Sequence, residues 1–169
     1  DNIIQWIEKA HDLTVLLIGE RIIDQYIYVR QAMKSPKENV ITYVEHTAES
    51  YPGGIAAIKN HLDEFVGRTE IIRDIKDRPI VKVRYIEKSF NSKLFSYCPN
   101  PTIGVVDLSN VKDLSDSMVL VGDYGHGLID QKAADMIVDS SAWLALMVQA
   151  NSLNWGFNRI SKYDRADYV

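Results

Sequence analysis

Cysteine and histidine are scarce in this sequence. Cys98 is the single cysteine among 169 residues, and the four histidines are scattered along the chain. One cysteine cannot close an internal disulfide, and it has no CxxC partner for redox or metal chemistry. The histidines do not show the spacing of a zinc site. These absences favour a reducing environment, and we expect a cytoplasmic protein.

Long apolar runs and an excess of positive charge are absent as well. No run approaches the roughly 18 apolar residues of a membrane-spanning helix, and the first residues lack the basic start of a signal peptide. The formal net charge of −4 gives no basic footprint for nucleic acid or for an anionic membrane. We therefore expect no nucleic acid or membrane partner, and any phosphate site must be local.

The composition that is present is typical of a globular chain. Hydrophobic residues make up 46% of the sequence and charged residues 25%. A chain of this length can bury one core, so we expect a single domain over residues 1–169. Near its start, Asn2 is predicted to cap a short helix in which Ile3, Trp6 and Ile7 recur at helical spacing and serve packing.

The first strand is predicted by the continuous apolar run from Leu13 to Gly19. A run of this kind, closed by glycine, is typical of a buried parallel strand in an α/β sheet. Such strands place function at their carboxyl ends. Asp24 follows shortly afterwards and is a candidate to accept hydrogen bonds from ligand hydroxyls, with a solvated turn carboxylate as the alternative.

The segment from Tyr51 to Asn60 predicts a proline-glycine-glycine turn that leads directly into an amphipathic helix. Gly53 and Gly54 permit positive φ and a close approach to a ligand. The first turn of a helix has unpaired N–H groups and a partial positive charge, which suits a hydroxyl-rich or anionic ligand. A plain tight turn is the alternative interpretation.

Alternation of apolar and polar residues predicts a small separate sheet. Its strands cover about 25–30 and 40–44, and further strands of the same sheet are possible at about 80–97. So small a sheet needs a partner chain or the main domain for stability. Within residues 80–97, Lys82 and Arg84 share one face, where they form either a phosphate contact or a solvated surface.

A second glycine-rich turn follows the apolar run that ends at Gly122. Asp123 and His126 lie at the predicted carboxyl end of that strand, and no serine or cysteine nucleophile stands beside them. We interpret the histidine as a loop or ligand-lining residue rather than as a catalytic base. Further along, Asn151 and Asn154 belong to an amide-rich loop that could bind sugar hydroxyls or could simply form turns.

Taken together, these segments resemble the ribokinase-like (PfkB) carbohydrate kinases, most closely the heptose-phosphate kinases of ADP-heptose synthesis and related fusions with a nucleotidyltransferase. The likeness covers most of the chain and follows the order of the family. It is carried by Val15 to Asp24 with Tyr26, Pro52 to Ala57, Val81 to Arg84, and Val119 to Leu128.

The resemblance implies a doubly wound α/β sheet with helices on both faces and a small β lid. It implies a reaction in which a sugar hydroxyl attacks the γ-phosphate of ATP, with Mg²⁺, in the full-length parent. By the same likeness, Asp24, Gly53 and Gly54 would hold a sugar or sugar phosphate. Lid strands in such kinases often form a dimer interface, so a homodimer is expected here.

Several departures from the family pattern limit what this chain can do. The Gly-Ala-Gly-Asp motif that carries the catalytic aspartate does not occur, and the chain is expected to end before it. Ala57 stands where the family often has a sugar-binding asparagine, and His126 stands where a lysine is common. The interval between Phe65 and Arg78 is short, as though a strand and a helix were missing.

Two functional hypotheses follow. In the first, the chain is the sugar-binding part of a carbohydrate kinase and is inactive alone, with Asp24, Gly53 and Gly54 as substrate residues. Further substrate-lining or phosphate-lining candidates are Lys82, Arg84, Asp123, His126, Asn151 and Asn154. In the second, it is a non-catalytic binding or dimerisation module. A generic nucleotide-binding domain is a weaker alternative, since no Gly-x-Gly-x-x-Gly or Walker A motif occurs.

Overall fold

The computed structural model describes residues 2–72, 78–109, 111, 114–150, 153–154 and 156–169. Within this part of the chain there are three α-helices, α1 (Ile3–Ala10), α2 (Ile55–Leu62) and α3 (Gln131–Ser140). The strands are β1 (Thr14–Gly19), β2 (Arg21–Lys34), β3 (Ile41–Gly54), β4 (Arg68–Ile72), β5 (Ile80–Glu87), β6 (Ser92–Tyr97), β7 (Met118–Asp123) and β8 (Trp143–Val148). They form two four-stranded sheets.

The first sheet is entirely parallel, in the order β4-β1-β7-β8. Its central strand β1 is buried from Val15 to Gly19, as the apolar run predicted. Helix α2 covers one face, where Ile55 packs with Val15 and Leu17. Helix α3 covers the other face. The prediction of an α/β fold with helices on both faces of a parallel sheet is therefore confirmed.

The second sheet has the order β3-β2-β5-β6. Strands β2 and β3 form a long antiparallel hairpin, β5 runs parallel to β2, and β6 returns antiparallel to β5. Each hairpin strand has 14 residues, so both are much longer than the predicted segments. The period-two pattern was recognised only over part of each strand because exposed polar residues interrupt the alternation along the rest.

Two further features differ from the sequence analysis. Strand β4 lies in the short interval between Phe65 and Arg78, where no strand was predicted, and residues 73–77 of that interval lie outside the described residues. Helix α1 has the predicted Asn2 cap, whose side chain accepts from the Ile4 N–H. However, none of its residues is buried, so the expected packing role is wrong for the described chain; Trp6 is 65% exposed.

The carboxyl ends of β1 and β7 lie side by side, because Gly19 pairs with Gly122. Chain segments that follow these two ends start the second sheet and form the glycine-rich turn at 124–127. None of the helices in the described part of the chain is long and apolar enough to cross a membrane. The fold thus brings the predicted functional segments to one edge of the parallel sheet.

Candidate functional site at the carboxyl edge of the parallel sheet

Glu20 connects the two glycine segments of the site. It follows β1 directly and is fully buried. Its Oε2 accepts the Tyr124 N–H at 2.8 Å and its Oε1 accepts the His126 N–H at 2.9 Å. Its own carbonyl oxygen accepts the Ile55 N–H at the start of α2, at 3.0 Å. Burial raises the pKa of Glu20 above 4.5, although the two N–H groups act in the opposite direction.

The sequence analysis did not single out Glu20. A carboxylate placed immediately after a glycine-terminated buried strand was the available signal, since that position lies at the functional edge of a parallel sheet. Its role depends on a partner 104 residues away, Tyr124, and no local pattern shows such a contact.

Gly53 and Gly54 do not form a free turn, which corrects the predicted proline-glycine-glycine turn. They are the last residues of β3 and pair with Ile22 and Arg21 of β2. Gly54 has φ of +59° and caps α2 without any side-chain hydrogen bond. A Cβ atom at this position would collide with the Glu20 carbonyl oxygen. Backbone conformation and close packing therefore both require glycine here.

Asp24 lies directly beside Gly53. A Cβ atom on Gly53 would collide with the Asp24 carboxylate, so the glycine leaves space for that side chain. Asp24 pairs in register with Tyr51 on one side and with Lys82 on the other. The Arg84 guanidinium forms an ion pair with its Oδ1, and both side chains are about one quarter exposed. The structure thus places Asp24, Gly53, Lys82 and Arg84 close together.

Arg84 is held from two directions. Besides Asp24, its guanidinium lies over the Tyr26 ring at 5.2 Å from the centroid. Tyr26 in turn meets Tyr51 edge to face, with ring centroids 6.1 Å apart. A planar guanidinium suits both contacts, because it can stack on an aromatic ring while its edge donates to a carboxylate.

Lys82 and Arg84 line a pocket on the second sheet. The pocket has a volume of about 270 Å³, and Lys93 contributes a third cation. The sequence analysis predicted the shared face of Lys82 and Arg84 but did not identify Lys93. Lys93 pairs with Ile86 next to an irregular register on β5, so its position could not be read from strand alternation.

Asp123 is engaged by the chain itself. It is 1% exposed, and its Oδ2 lies 2.5 Å from the Lys162 ammonium and accepts the Tyr163 hydroxyl at 2.8 Å. Its Oδ1 accepts the Asn158 side-chain amide at 2.9 Å and the Gly125 N–H at 3.1 Å. The contacts with Asn158, Lys162 and Tyr163 tie the glycine-rich turn to the C-terminal segment, so the geometry gives Asp123 a structural role.

His126 is buried in the same turn. Its Nδ1 lies 2.6 Å from the Pro101 carbonyl oxygen, and a carbonyl only accepts, so Nδ1 carries the proton. Within the described part of the chain, Nε2 has no hydrogen-bond partner. Burial lowers the pKa of His126, the bond to Pro101 opposes this, and the charge of Lys82 adds to the lowering. The imidazole is therefore neutral, and its Nε2 can accept a hydrogen bond.

Of the two amide residues predicted to line a ligand, Asn154 belongs to the described residues. Asn151 lies outside the described residues. The Asn154 side chain packs on the glycine-rich turn, where its Nδ2 donates to the Gly125 carbonyl at 3.2 Å. Its Oδ1 accepts the Gly156 N–H at 3.2 Å. These contacts stabilise the turn.

Tyr124 completes the edge that faces Asp24. Burial raises the pKa of its hydroxyl, and the negative charges of Glu20 and Asp24 act in the same direction. The tyrosine therefore stays a neutral donor near both carboxylates.

No group of three or more histidine, cysteine, aspartate or glutamate side chains within the described residues could hold a metal ion. The arrangement can bind hydroxyls and anions.

Comparison with known proteins found similarity to solved structures. No protein-family profile matches the chain, and no curated protein does. Similar solved structures include Arabidopsis thaliana ribokinase complexed with ribose and ATP, at 10% identity and a TM-score of 0.47, covering 80% of this chain and 53% of that one. A carbohydrate kinase from Agrobacterium tumefaciens has 11% identity and a TM-score of 0.45, covering 79% and 52%.

A third similar structure is the nucleoside kinase of Methanocaldococcus jannaschii, described as an archaeal member of the ribokinase family. It is 16% identical, has a TM-score of 0.36, and the match covers 78% of this chain and 59% of that one. The present chain spans between 52% and 59% of the length of these three proteins.

Proposed function

We propose that the chain is the sugar-binding part of a carbohydrate kinase, whose full-length form transfers a phosphoryl group from ATP to a sugar hydroxyl. One observation carries this proposal. The Asp24 carboxylate lies beside Gly53, at a position where a side chain on the neighbouring strand would occupy the same space. A carboxylate that is open to hydroxyl donors, next to bare backbone, suits a sugar ring.

Each part of this site has a defined task. Arg84 holds the Asp24 carboxylate in one orientation, which lowers the entropic cost of binding a hydroxyl pair. Glu20 fixes the start of α2 relative to the turn that carries Tyr124. Because no side chain caps α2 at Gly54, the partial positive charge of that helix end is left for a ligand.

Catalysis belongs to the parent protein in this proposal. Phosphoryl transfer requires positioning, charge neutralisation by metal ions and a base for the attacking hydroxyl. The sequence lacks the Gly-Ala-Gly-Asp motif that carries the catalytic aspartate in the family it resembles. ATP and Mg²⁺ are therefore assigned to the full-length parent, and the chain by itself is expected to bind sugar without phosphorylating it.

A homodimer through the second sheet is part of the proposal. Strand β3 is an edge strand of 14 residues, and most of its side chains are exposed, including Ile41 and Val44. An exposed edge of this length offers its backbone N–H and C=O groups for pairing with another chain. Analytical ultracentrifugation checks this. We expect the unsubstituted chain to form a dimer and the Val44→Glu variant to be monomeric. An unsubstituted chain that is monomeric would contradict the proposal.

The finer substrate expectation is a heptose phosphate, and sequence resemblance alone supports it. Calorimetric titration with ribose, heptose 7-phosphate and ATP tests the function as a whole. We expect a sugar to bind, and we expect Asp24→Asn to weaken that binding at least tenfold because the amide loses one acceptor and the ion pair with Arg84.

The matched control is Asp12→Asn, which changes an exposed aspartate that follows α1. It should bind sugar as the parent chain does. If no sugar binds to the folded chain, or if the Asp24→Asn variant binds sugar as tightly as the unsubstituted chain, the sugar-binding assignment is wrong.

A further inference from the structure

Tyr51 presents a half-exposed aromatic ring next to the Asp24 carboxylate. The two residues pair directly across strands β3 and β2, and Tyr51 is 51% exposed. Side chains of directly opposite residues emerge from the same face of a sheet, with their Cβ atoms about 4.5–5.5 Å apart. A ligand as small as one sugar ring can therefore contact the Tyr51 ring and the Asp24 carboxylate at the same time.

Two contacts fix the orientation of the Tyr51 ring. Its hydroxyl donates to Glu49 Oε2 at 2.8 Å, and its ring meets the Tyr26 ring edge to face. Tyr26 is held in turn by the Arg84 guanidinium, which lies over its ring. An exposed tyrosine is ordinary by itself. A tyrosine that is braced on two sides loses less rotamer freedom when a ligand binds, so the Tyr51 ring is preorganised beside Asp24.

The carboxylate and the aromatic ring match the two kinds of surface on a cyclic sugar. Sugar hydroxyls donate hydrogen bonds to a carboxylate, whereas the C–H groups of the sugar ring form an apolar face that an aromatic ring can cover. Small-molecule sites commonly combine such an apolar wall with a few polar groups that fix orientation. Asp24 alone accepts hydroxyls from any polyol. The neighbouring Tyr51 adds a selection for a ligand with a flat apolar face.

We propose that Tyr51 is a stacking residue, on which the C–H face of a cyclic monosaccharide packs while hydroxyls of the same molecule donate to Asp24. This inference rests on the proposed function and adds a preference for the ring form of a sugar over an open-chain polyol. The open-chain polyol carries hydroxyls too, but it has no rigid face and must lose internal rotations on binding. Tyr26 is a positioning residue that holds Tyr51 in place.

The experiment compares each of two sugars with its open-chain alditol. Isothermal titration calorimetry is carried out on the 169-residue chain with ribose and ribitol, and with glucose and glucitol. We expect at least one of the two sugars to bind about tenfold more tightly than its alditol. Tyr51→Leu keeps an apolar side chain but removes the flat ring. It should weaken binding of that sugar about three- to tenfold and leave the affinity for the alditol unchanged.

Two further variants serve as controls. Tyr51→Phe keeps the ring, so it should bind the sugar as the unsubstituted chain does. Tyr43→Leu makes the matched change eight residues earlier on the same strand, about 25 Å away, and should alter no affinity. Proton NMR of the bound sugar adds a readout that a purely structural role would not produce. Its ring C–H signals should shift upfield with the unsubstituted chain and with Tyr51→Phe, but not with Tyr51→Leu.

The possible failures are distinguishable. If Tyr51→Leu binds the sugar as tightly as the unsubstituted chain while Asp24→Asn still weakens binding, the stacking role is wrong and the proposed function is intact. An equal loss for the sugar and its alditol would also overturn the inference, because Tyr51 would then support the site without recognising a ring. A loss in Tyr51→Leu that coincides with dissociation of a dimer in ultracentrifugation would assign the ring to a contact between chains. If neither sugar binds to the folded chain, both the inference and the proposed function are wrong.

Discussion

The two glycine segments of the site, residues 53–54 and 125–127, are both held by Glu20, but different side chains pack against them. Glu20 holds the first through its carbonyl oxygen and the second through its carboxylate. The second segment is then filled by Asn154 and Asn158, whose side chains occupy the space that a Cβ of Gly125 would need. The first segment is lined instead by Asp24, whose carboxylate lies where a Cβ of Gly53 would stand, and by the Ile22 side chain beside Gly54.

The helices that follow these segments show the same difference. Asp130 caps α3, and its carboxylate accepts the Ala133 N–H at 2.8 Å. Gly54 caps α2 with no side-chain hydrogen bond. Glycine-rich turns at the edge of a parallel sheet are therefore not equivalent. One here is held by side chains from the C-terminal segment, whereas at the other the Ile55 N–H donates to the Glu20 carbonyl and no side chain caps the helix.

The largest expected effect concerns Asp123, next to the second glycine segment. Asp123→Ala leaves the largely buried Lys162 ammonium, whose side chain is 16% exposed, without its carboxylate and removes the acceptor of the Tyr163 hydroxyl. We expect a loss of about 3–5 kcal/mol in the free energy of unfolding, measured by urea denaturation. The control is Glu70→Ala in the exposed Arg68–Glu70 pair, which should cost less than about 1 kcal/mol. If both variants lose the same free energy of unfolding, the contacts of Asp123 do not stabilise the fold more than an exposed ion pair does.

A substitution at Gly54, in the first glycine segment, should reduce both stability and ligand binding. Gly54→Ala forces a side chain into φ of +59° and against the Glu20 carbonyl oxygen. We expect a loss of about 1–3 kcal/mol in thermal or urea unfolding, together with the loss of sugar binding. Gly104→Ala is the control, since a Cβ there meets nothing within 4 Å and stability should be unchanged. Sugar affinity that survives in Gly54→Ala would contradict the assignment of this turn to the ligand.

The shared anchor should respond to pH. Glu20→Gln keeps one acceptor oxygen for two N–H groups, so we expect a loss of about 1 kcal/mol near pH 4. Because the folded pKa of Glu20 is raised above 4.5, the folded state binds the proton more readily than the unfolded state. Its favourable contribution is present below pH 4.5 and is lost as the pH rises through the folded pKa.

The deficit of Glu20→Gln relative to the parent chain should therefore shrink between pH 4.5 and neutrality. Urea denaturation at a series of pH values measures this, with Glu38→Gln, an exposed residue between β2 and β3, as the control. A deficit that grows with pH would show that the ionised carboxylate is the stabilising form.

The smallest expected effect concerns His126. Its pKa is lowered from 6.5 by burial, so the unfolded state binds the proton more readily in the window below pH 6.5. Stability should therefore fall slightly as the pH drops through that window. Nitrogen-15 NMR of the imidazole should show a neutral ring protonated at Nδ1 near pH 6.5. A doubly protonated ring at that pH would contradict the buried position of Nε2.

The sequence allowed much of the parallel sheet to be predicted. The run from Leu13 to Gly19, the second run ending at Gly122 and the helical spacing after Gly54 all correspond to observed elements. These patterns are reliable because a strand covered on both faces must be apolar throughout. The exposed hairpin strand β3 was harder to delimit, since burial does not constrain its side chains.

Within the candidate site, the sequence indicated the residue types but not their partners. Asp24 and the paired glycines were expected to hold a ligand, and the structure brings the Asp24 carboxylate beside Gly53. Asp123 was expected to line the ligand, whereas its oxygens are taken by Lys162 and Tyr163, about 40 residues further along the chain. Contacts over such distances depend on how loops return to the sheet, and local periodicity does not encode that path.

The sequence by itself determined the buried strands β1 and β7, the helix that follows Gly54 and which residues can adopt unusual backbone conformations as glycines, because these properties follow from local sterics and from the pattern of apolar residues. Tertiary structure alone decided which side chains pack against each glycine segment, that Glu20 contacts both, and that Lys93 joins Lys82 and Arg84 around one pocket. Those outcomes depend on long-range packing and charge compensation, which become defined only when distant segments meet.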